Sequence, residues 1–264
     1  MTRYVRFSQD EKTSAQTPDG DPAVHYGVVD GGSVFETKGP FSDDRTGASF
    51  SLTKVRLLPP MWPTKIVCVG RNYADHAKEL GNEPPKEPII FLKPHSSLRA
   101  HGDTIIYPPI SKHVSYEGEL GAVIGKRASK VSAEKADKYV FGYTCVNDVT
   151  ARDLQRSDPM WTRAKGFDTF CPVGPWIVPK DEVDLSQARV RTYVNDETKQ
   201  DAPVTDMIFP VGEIIAYVSA FMTLEPGDLI ATGTPSGVGP MDPGSEVQVL
   251  IEGIGTLQNR LVEE

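Results

Sequence analysis

Short runs of alternating apolar and polar residues, separated by turns, make up the first part of the chain. Residues 4–7 (YVRF) and 25–29 (HYGVV) are β-like runs, and Asp30-Gly31-Gly32 is a turn cluster between such runs. Alternation with a period of two is typical of half-buried strands. The proline-rich stretch at residues 58–63 can continue neither a helix nor a central strand. We therefore expect a small β-rich N-terminal domain over residues 1–60.

A larger domain over residues 61–264 is expected to follow. Its pattern predicts a strand at residues 65–69, a short helix at residues 72–80 that stops at Gly81, and then a proline-rich loop. β-signals dominate afterwards, and the Pro-Gly turns at residues 225–228 and 242–245 are typical of type II turns between strands. The fold class predicted is mixed α/β, mostly β.

Three carboxylates fall at positions where strands can bring them together. Residues 115–124 (SYEGELGAVI) are predicted as one strand, so a period of two places Glu117 and Glu119 on the same face. Residues 141–146 are a second, buried strand that ends at Asp148, where a helix over residues 149–156 is predicted to begin. Like charges on one face repel, and a cation between them would remove that repulsion.

Oxygen ligands favour Mg²⁺ or Mn²⁺ over Zn²⁺, because the three candidate ligands are all carboxylates and include no histidine or cysteine. Ca²⁺ is a possible crystallographic substitute. The alternative is that Glu117 and Glu119 form an exposed polar face and that Asp148 caps the helix.

Basic residues near these segments are candidates for catalysis or binding. His76 and Glu79 lie three residues apart on the short helix, where a carboxylate can orient an imidazole and raise its basicity. An ordinary surface pair is the alternative. Lys165 lies in an apolar, glycine-containing segment and could neutralise an anionic substrate. Arg152 and Gln155, four and seven residues after Asp148, would project beside it if the helix begins there.

The glycine-rich turn at residues 231–237 (ATGTPSG) could offer the hydroxyls of Thr232 and Thr234, and backbone N–H groups, to an oxyanion. It is not a phosphate-binding P-loop, because it lacks the lysine of that motif. Any of the arginines at positions 71, 99, 152 and 163 could meet a second carboxylate of the substrate.

The composition of the chain limits the classes of partner that we expect. The net charge of −8 disfavours nucleic acid and anionic membranes. We expect a cytoplasmic protein, because no segment approaches the length of a membrane-spanning helix and the N-terminus has no apolar signal region. Cys68, Cys145 and Cys171 lack CxxC spacing, so buried free thiols are expected.

Five segments in this order resemble the fumarylacetoacetate hydrolase family, particularly its small acylpyruvase and oxaloacetate decarboxylase-like members, over residue 60 to the C-terminus. They are GRNYADH at residues 70–76, EGE at 117–119, NDVTARDLQ at 147–155, KGFD at 165–168 and ATGTPSG at 231–237. The resemblance implies a mixed β-roll or β-sandwich domain in a homodimer. It also implies that Glu117, Glu119 and Asp148 hold Mg²⁺ or Mn²⁺ and that Lys165 binds the substrate.

The resemblance further implies that the helix bearing His76 and Glu79 acts as a lid. The larger hydrolases of the family supply a further aspartate seven residues before the histidine, and Val69 stands there in this chain. A site with three protein ligands is therefore expected.

The activity implied is hydrolysis of a C–C bond in a small anionic 2-oxo acid of the acylpyruvate or fumarylpyruvate type, through a metal-bound enolate. Lys165 and Arg71 would offset negative charge, and His76 with Glu79 would deprotonate the attacking water. The alternatives are decarboxylation of a β-keto acid such as oxaloacetate, and isomerisation with decarboxylation as in the homoprotocatechuate pathway. A metal-assisted phosphoesterase and a non-catalytic protein of the same fold are more distant alternatives.

Overall fold

Strands make up most of the regular structure in the computed structural model, which describes residues 1–264. The N-terminal part contains β1 Arg3–Ser8, β2 His25–Asp30, β3 Ser33–Thr37, β4 Arg45–Ser51 and β5 Arg56–Leu58. The later strands are β6 Ile66–Gly70, β7 Ile89–Lys93, β8 Leu98–Arg99, β9 Thr104–Tyr107, β10 Val114–Ser115, β11 Gly118–Ile124, β12 Val140–Asn147, β13 Thr150–Ala151, β14 Cys171–Pro179, β15 Arg189–Val194, β16 Glu197–Pro203, β17 Leu229–Ala231, β18 Glu246–Ile251 and β19 Gly255–Glu263.

The α-helices are short: α1 Ala74–Glu79, α2 Ala133–Ala136, α3 Arg152–Ser157, α4 Thr162–Lys165 and α5 Val211–Ser219. None of them is long and apolar enough to cross a lipid bilayer. The predicted class, mixed α/β and mostly β, is confirmed.

One 12-stranded sheet runs through both parts of the chain, in the order β4-β3-β2-β1-β14-β12-β11-β17-β6-β7, with β5 on β1 and β8 on β14. The N-terminal strands join the rest where Tyr4 of β1 pairs with Ile177 of β14. A 5-stranded sheet, β16-β15-β18-β19-β9, and the β10-β13 pair complete the topology. The 12-stranded sheet is therefore continuous across the predicted boundary near residue 60.

The largest buried cluster lies between the two larger sheets. Leu120, Ala122 and Ile124 of β11 contribute to it together with Val190 of β15 and Val249 of β18. Val123, on the other face of β11, belongs to a second cluster. Because β11 is buried on both faces, an acidic side chain in it needs a partner for its charge.

Most element predictions near the site are confirmed. The strand predicted at residues 65–69 is β6, and the helix predicted at residues 72–80 is α1, shortened at both ends. Both Pro-Gly turns have the i to i+3 hydrogen bond, and their glycines, Gly227 and Gly244, have positive φ, as type II requires. The three cysteines are free and buried, as expected.

Two element predictions were wrong. Residues 115–124 do not form one strand, because Ser115 pairs with Thr150 of β13 and β11 begins only at Gly118. The same pairing delays the predicted helix, which begins at Arg152 and not at residue 149. Asp148 therefore lies just before β13 and does not share a helix with Arg152. The two residues are therefore not an i, i+4 pair on one helix face.

Candidate active site

A polar cavity of about 200 Å³ opens where β6, β11 and the helices α1, α3 and α4 come together. Residues that line it include Arg71 at the end of β6, His76, Glu117, Glu119, Arg152, Gln155, Lys165 and Thr234. Pockets for drug-sized ligands have volumes of about 300–1,000 Å³, so this cavity suits a smaller molecule.

The carboxylates of Glu117, Glu119 and Asp148 converge, and their nearest oxygens all lie within 4.8 Å of one another. The backbone N–H of Asp148 donates to the carbonyl of Glu117 at 2.8 Å, and the N–H of Glu117 donates to the Asn147 side chain at 3.0 Å. These bonds fix Glu117 just after the end of β10 and Asp148 just before the start of β13. All three carboxylates are buried.

Gly118, between the two glutamates, is required by close packing of β11 on the 5-stranded sheet. A Cβ atom at this position would lie 2.1 Å from the Oγ1 atom of Thr192. The Gly118 N–H donates to Gln200 at 3.0 Å, which anchors the strand start to β16. The E-G-E sequence therefore places two acids beside a residue without a side chain for a steric reason.

Three buried cations surround two of the carboxylates. Lys165, the last residue of α4, donates to Glu117 Oε2 and to Asp148 Oδ2, at 2.6 Å each. Lys93 at the end of β7 donates to Asp148 Oδ1 at 2.5 Å. Arg152 donates to Glu117 Oε1 at 2.5 Å. Glu117 and Asp148 thus have both oxygens in charge-assisted hydrogen bonds.

Glu119 differs from the other two acids. It is 1% exposed, and its one hydrogen bond in the structure comes from the backbone N–H of Gly233, at 2.8 Å. Burial and the neighbouring charges of Asp148 and Glu117 raise the pKa of Glu119 well above its ordinary value. For Glu117, burial alone would raise the pKa, but the charges of Arg152 and Lys165 outweigh it and hold the pKa far below the ordinary value.

The lysine between the acids stays charged. Burial would lower the pKa of Lys165, but the carboxylates of Asp148 and Glu117 outweigh burial and raise it above its ordinary value. The Lys165 Nζ atom also lies 5.0 Å from the centre of the Phe91 ring, within the range of a cation–π contact.

The donor set fits a divalent, oxygen-preferring metal ion. Three converging carboxylates satisfy the preference of such ions for oxygen, and Glu119 is a buried acid without any cation against it. With Glu119 ionised as a ligand, the three carboxylates balance the three cations Lys93, Arg152 and Lys165, so a divalent ion would make the centre +2. A centre of that charge attracts an anionic substrate.

His76 and Glu79 form a pair at the cavity wall. His76 is 3% exposed, and its Nδ1 atom lies 3.2 Å from Glu79 Oε2. The Glu79 carboxylate also accepts a hydrogen bond from the N–H of Gly237, at 3.1 Å. Burial lowers the pKa of His76 below its ordinary value of 6.5, although the charges of Glu117 and Glu79 act against this. Burial thus favours the neutral form of the imidazole, and the Glu79 carboxylate, anchored by Gly237, orients the ring.

The remaining predicted contacts divide into two groups. Arg71, Arg152, Gln155 and Thr234 line the cavity, and Arg152 donates to Gln155 at 2.9 Å. Thr232 does not line it, because its buried hydroxyl donates to the carbonyl of Leu120 at 2.9 Å. The expectation that Thr232 contacts substrate is therefore corrected.

The turn at residues 231–237 also differs from expectation. Its N–H groups were expected to face a substrate oxyanion, but those of Gly233 and Gly237 donate to Glu119 and Glu79. A Cβ atom at Gly233, where φ is +101°, would lie 2.6 Å from the Cβ of Asn72. The turn therefore positions the acids of the site, and a glycine at position 233 permits its close approach to the chain after β6.

Sequence reasoning missed Lys93 and Asn72. A lysine that ends the apolar run of residues 89–92 before a proline was the available signal for Lys93. The buried Asn72 side chain donates to the carbonyls of Phe209 and Thr232, and accepts from the N–H of Phe209 at 2.8 Å. It thereby ties the base of α1 to the turn and to the segment before α5.

Fold and site together describe a mostly β scaffold with a buried acidic centre that could hold a cation. Residues 65–262 match the family described as fumarylacetoacetate (FAA) hydrolase, C-terminal, and residues 2–60 match the Rv2993c-like N-terminal family. The chain belongs to the fumarylacetoacetate hydrolase family. Val69, at the position of the further aspartate of larger hydrolases, lines the cavity as an apolar residue.

Relatives cover most of the chain. Protein Rv2993c of Mycobacterium tuberculosis is 52% identical over 83% of this chain and 83% of its own length. Oxaloacetate tautomerase YisK of Bacillus subtilis is 42% identical over 83% of this chain and 77% of its own length.

Solved structures agree with the fold. That of 2-hydroxyhepta-2,4-diene-1,7-dioate isomerase from Mycobacterium marinum matches with a TM-score of 0.87 and 44% identity, covering 100% of this chain and 99% of the other. Fumarylpyruvate hydrolase from Pseudomonas aeruginosa, in complex with Mn²⁺ and pyruvate, matches with a TM-score of 0.73 and 36% identity, covering 77% of this chain and 91% of the other.

Proposed function

We propose that this chain is a Mg²⁺- or Mn²⁺-dependent enzyme that transfers a proton at the carbon next to the 2-oxo group of a small anionic 2-oxo acid. Keto–enol tautomerisation or double-bond isomerisation is the favoured outcome. The relatives named as tautomerase and isomerase are 42% and 44% identical to this chain, whereas the fumarylpyruvate hydrolase is 36% identical. Hydrolysis, the first expectation from sequence, becomes the second candidate.

Glu117, Glu119 and Asp148 would hold the metal ion. When bound, the ion supplies Lewis-acid polarisation of the 2-oxo group. The small volume of the cavity and the +2 charge of a loaded centre support a compact, multiply charged anion as substrate.

One observation carries the proposal: the buried imidazole of His76 lines the same cavity as the acids Glu117 and Glu119. In the enol-to-keto direction, His76 would take the proton of the enol hydroxyl and return it to C3, so that one proton moves within the substrate and none is gained or lost overall. In the reverse direction, the neutral His76 accepts the proton from C3. Glu79 accepts a hydrogen bond from His76 and fixes the orientation of the ring, and Gly237 fixes Glu79.

Other residues bind and orient the substrate. Lys165 and Arg152 stand next to the acids and would neutralise the substrate carboxylate beside the 2-oxo group. Gln155 and Thr234 line the same wall. The charged groups of the centre are buried, and an electrostatic contact is stronger in such an environment than in bulk water.

Hydrolysis of an acylpyruvate or fumarylpyruvate is the second candidate. The fumarylpyruvate hydrolase with Mn²⁺ and pyruvate supports it, since its chain superposes over most of this one. His76 would then deprotonate a water, which adds to the distal carbonyl before the C–C bond breaks. Decarboxylation of oxaloacetate needs no attacking water, so it depends least on His76.

The experiment compares the wild-type enzyme with a His76→Gln variant on a panel of oxaloacetate and acylpyruvates with added Mn²⁺. Enol disappearance is followed by ultraviolet absorbance, C–C cleavage by the carboxylic acid released, and decarboxylation by CO₂. We expect His76→Gln to lose tautomerisation and any cleavage by about 100-fold or more, and decarboxylation much less. Equal loss of all three activities would contradict the proton-transfer role of His76.

We propose in addition that the protein is a homodimer, because the resemblance to the family implies one. Light scattering should then give twice the chain mass of 28.9 kDa. A monomeric mass at assay concentration would contradict it.

A further inference from the structure

The backbone of Arg71 adopts a conformation that is unfavourable for arginine. It follows β6 directly, and its φ of +57° lies in the left-handed region, where glycine is at ease and residues with a Cβ atom are strained. Such strain persists at functional sites, where the side chain is needed. The arginine at position 71 therefore requires an explanation from its side chain.

The Arg71 side chain has no partner in the protein. No carboxylate or carbonyl accepts a hydrogen bond from its guanidinium group, and its Nε atom is buried without any partner. The group lies 5.8 Å from the centre of the Trp161 ring, and Phe91 packs edge-on against that ring at 5.4 Å. An aromatic wall thus supports a donor group that the fold leaves unsatisfied.

Trp161 is itself held closely against the chain that precedes Arg71. A Cβ atom at Gly70 would lie 2.7 Å from the Trp161 ring, so the ring packs directly on the backbone at the end of β6. The guanidinium is therefore positioned by both its strained backbone and the indole. A preorganised group of this kind loses little freedom when it binds a ligand.

The other candidate arginines are paired with acceptors, line a different depression or lie exposed at the rim of the cavity. Arg152 donates to Glu117 and Gln155. Arg163 is exposed and paired with Asp158. Arg99 lines a different surface depression, near Ile110. Arg156 lines the cavity but is exposed at its rim. Arg71 is thus the cation that faces the cavity, has no acidic partner and is held in place.

We propose that Arg71 binds the second carboxylate of the substrate, so that the enzyme selects dicarboxylic 2-oxo acids over monocarboxylic ones. The planar guanidinium pairs with a carboxylate through two parallel hydrogen bonds, and this pairing satisfies the donors that the fold leaves free. The inference rests on the proposed function, because it assigns the first carboxylate and the 2-oxo group to the acidic centre.

The test uses oxaloacetate and its 4-methyl ester, which share the 2-oxo acid end and differ in the charge of the distal group. Binding of each is measured by calorimetry with Mn²⁺ present, and turnover is measured in parallel. We expect wild type to prefer the diacid. Arg71→Met should weaken diacid binding and raise its KM by about tenfold to a hundredfold, with little change for the ester or in Mn²⁺ affinity. Arg71→Lys should restore part of the preference.

Two further variants separate binding from folding. Arg71→Gly relieves the backbone strain, so its Tm should not fall, yet it should lose the preference for the diacid as Arg71→Met does. Arg156→Gln removes a cation from the cavity rim and should keep most of the preference.

Equal binding of diacid and ester by wild type would overturn the inference. Equal losses for both ligands in Arg71→Met would overturn it as well. A binding preference that depends on Arg71, without any turnover by wild type, would instead support the inference and reject the proposed reaction.

Discussion

Replacement of Glu119 by glutamine should change stability in opposite directions without and with a divalent cation. Glu119 is the buried acid that has one backbone hydrogen bond and no cation against it. Glutamine keeps the shape and the acceptor for the Gly233 N–H, and its amide can donate to the neighbouring carboxylates. The substitution therefore removes a repulsive charge from the metal-free protein and a ligand from the loaded protein.

The magnitudes follow from the separations. Two unit charges 4.8 Å apart repel by about 3.5 kcal/mol at an effective dielectric constant of about 20. Attraction to Lys165 and the raised pKa of Glu119 offset most of this. We expect a net gain of roughly 1 kcal/mol in chelator, or about 2–4 °C in Tm.

With the metal, the sign reverses. An ion at a thousand times its Kd stabilises wild type by about 4 kcal/mol. Loss of a ligand should weaken binding at least as much as loss of a supporting residue does, about tenfold to a hundredfold. The stabilisation of Glu119→Gln at the same ion concentration should then be smaller by at least about 1.4–2.7 kcal/mol.

Differential scanning calorimetry in EDTA and across a Mn²⁺ titration measures both effects. Glu134→Gln, at an exposed position, is the matched control and should behave as wild type. A Glu119→Gln protein that is less stable than wild type in EDTA, yet is stabilised as much by Mn²⁺, would show that Glu119 neither destabilises the metal-free centre nor ligates the ion.

Three more predictions concern the site and its support. Because burial lowers the pKa of His76 below 6.5, turnover should rise with pH along an acid limb centred below pH 6.5, and a limb at or above that value would count against His76 as the base. In chelator, Lys93→Met should lower the free energy of unfolding by roughly 3 kcal/mol, because Asp148 keeps one buried cation instead of two; an unchanged denaturant midpoint would contradict this. Gly118→Ala places a methyl group 2.1 Å from Thr192 Oγ1 and should lower the free energy of unfolding by about 1–3 kcal/mol. Thr192→Ala should recover part of that loss, whereas purely additive losses in the double variant would show that the two residues do not collide.

Local sequence signals were enough for the acidic residues and for the dyad. The E-x-E spacing indicated Glu117 and Glu119, and the end of a buried strand indicated Asp148. The single strand expected over residues 115–124 and the helix start expected at residue 149 were nevertheless wrong. The convergence of these residues depends on the pairing of Ser115 with Thr150, which lie 35 positions apart in the sequence. No local pattern encodes such a pairing.

The supporting residues were hidden for the same reason. Lys93 reaches Asp148 across 55 positions, and Asn72 reaches Thr232 across 160. Each appears in sequence as an ordinary polar residue beside a strand. The positive φ of Arg71 is likewise a property of the folded backbone. No pattern in the amino-acid sequence indicates it.

The proposed function requires that the three buried carboxylates form a metal-dependent centre that acts on a 2-oxo acid. The most direct test is the initial rate of oxaloacetate enol loss, above the spontaneous rate, for wild type and Glu117→Gln, each in EDTA and with Mn²⁺ restored. We expect catalysis only by wild type with Mn²⁺. Equal catalysis by wild type in excess chelator, or by Glu117→Gln with Mn²⁺, would contradict it.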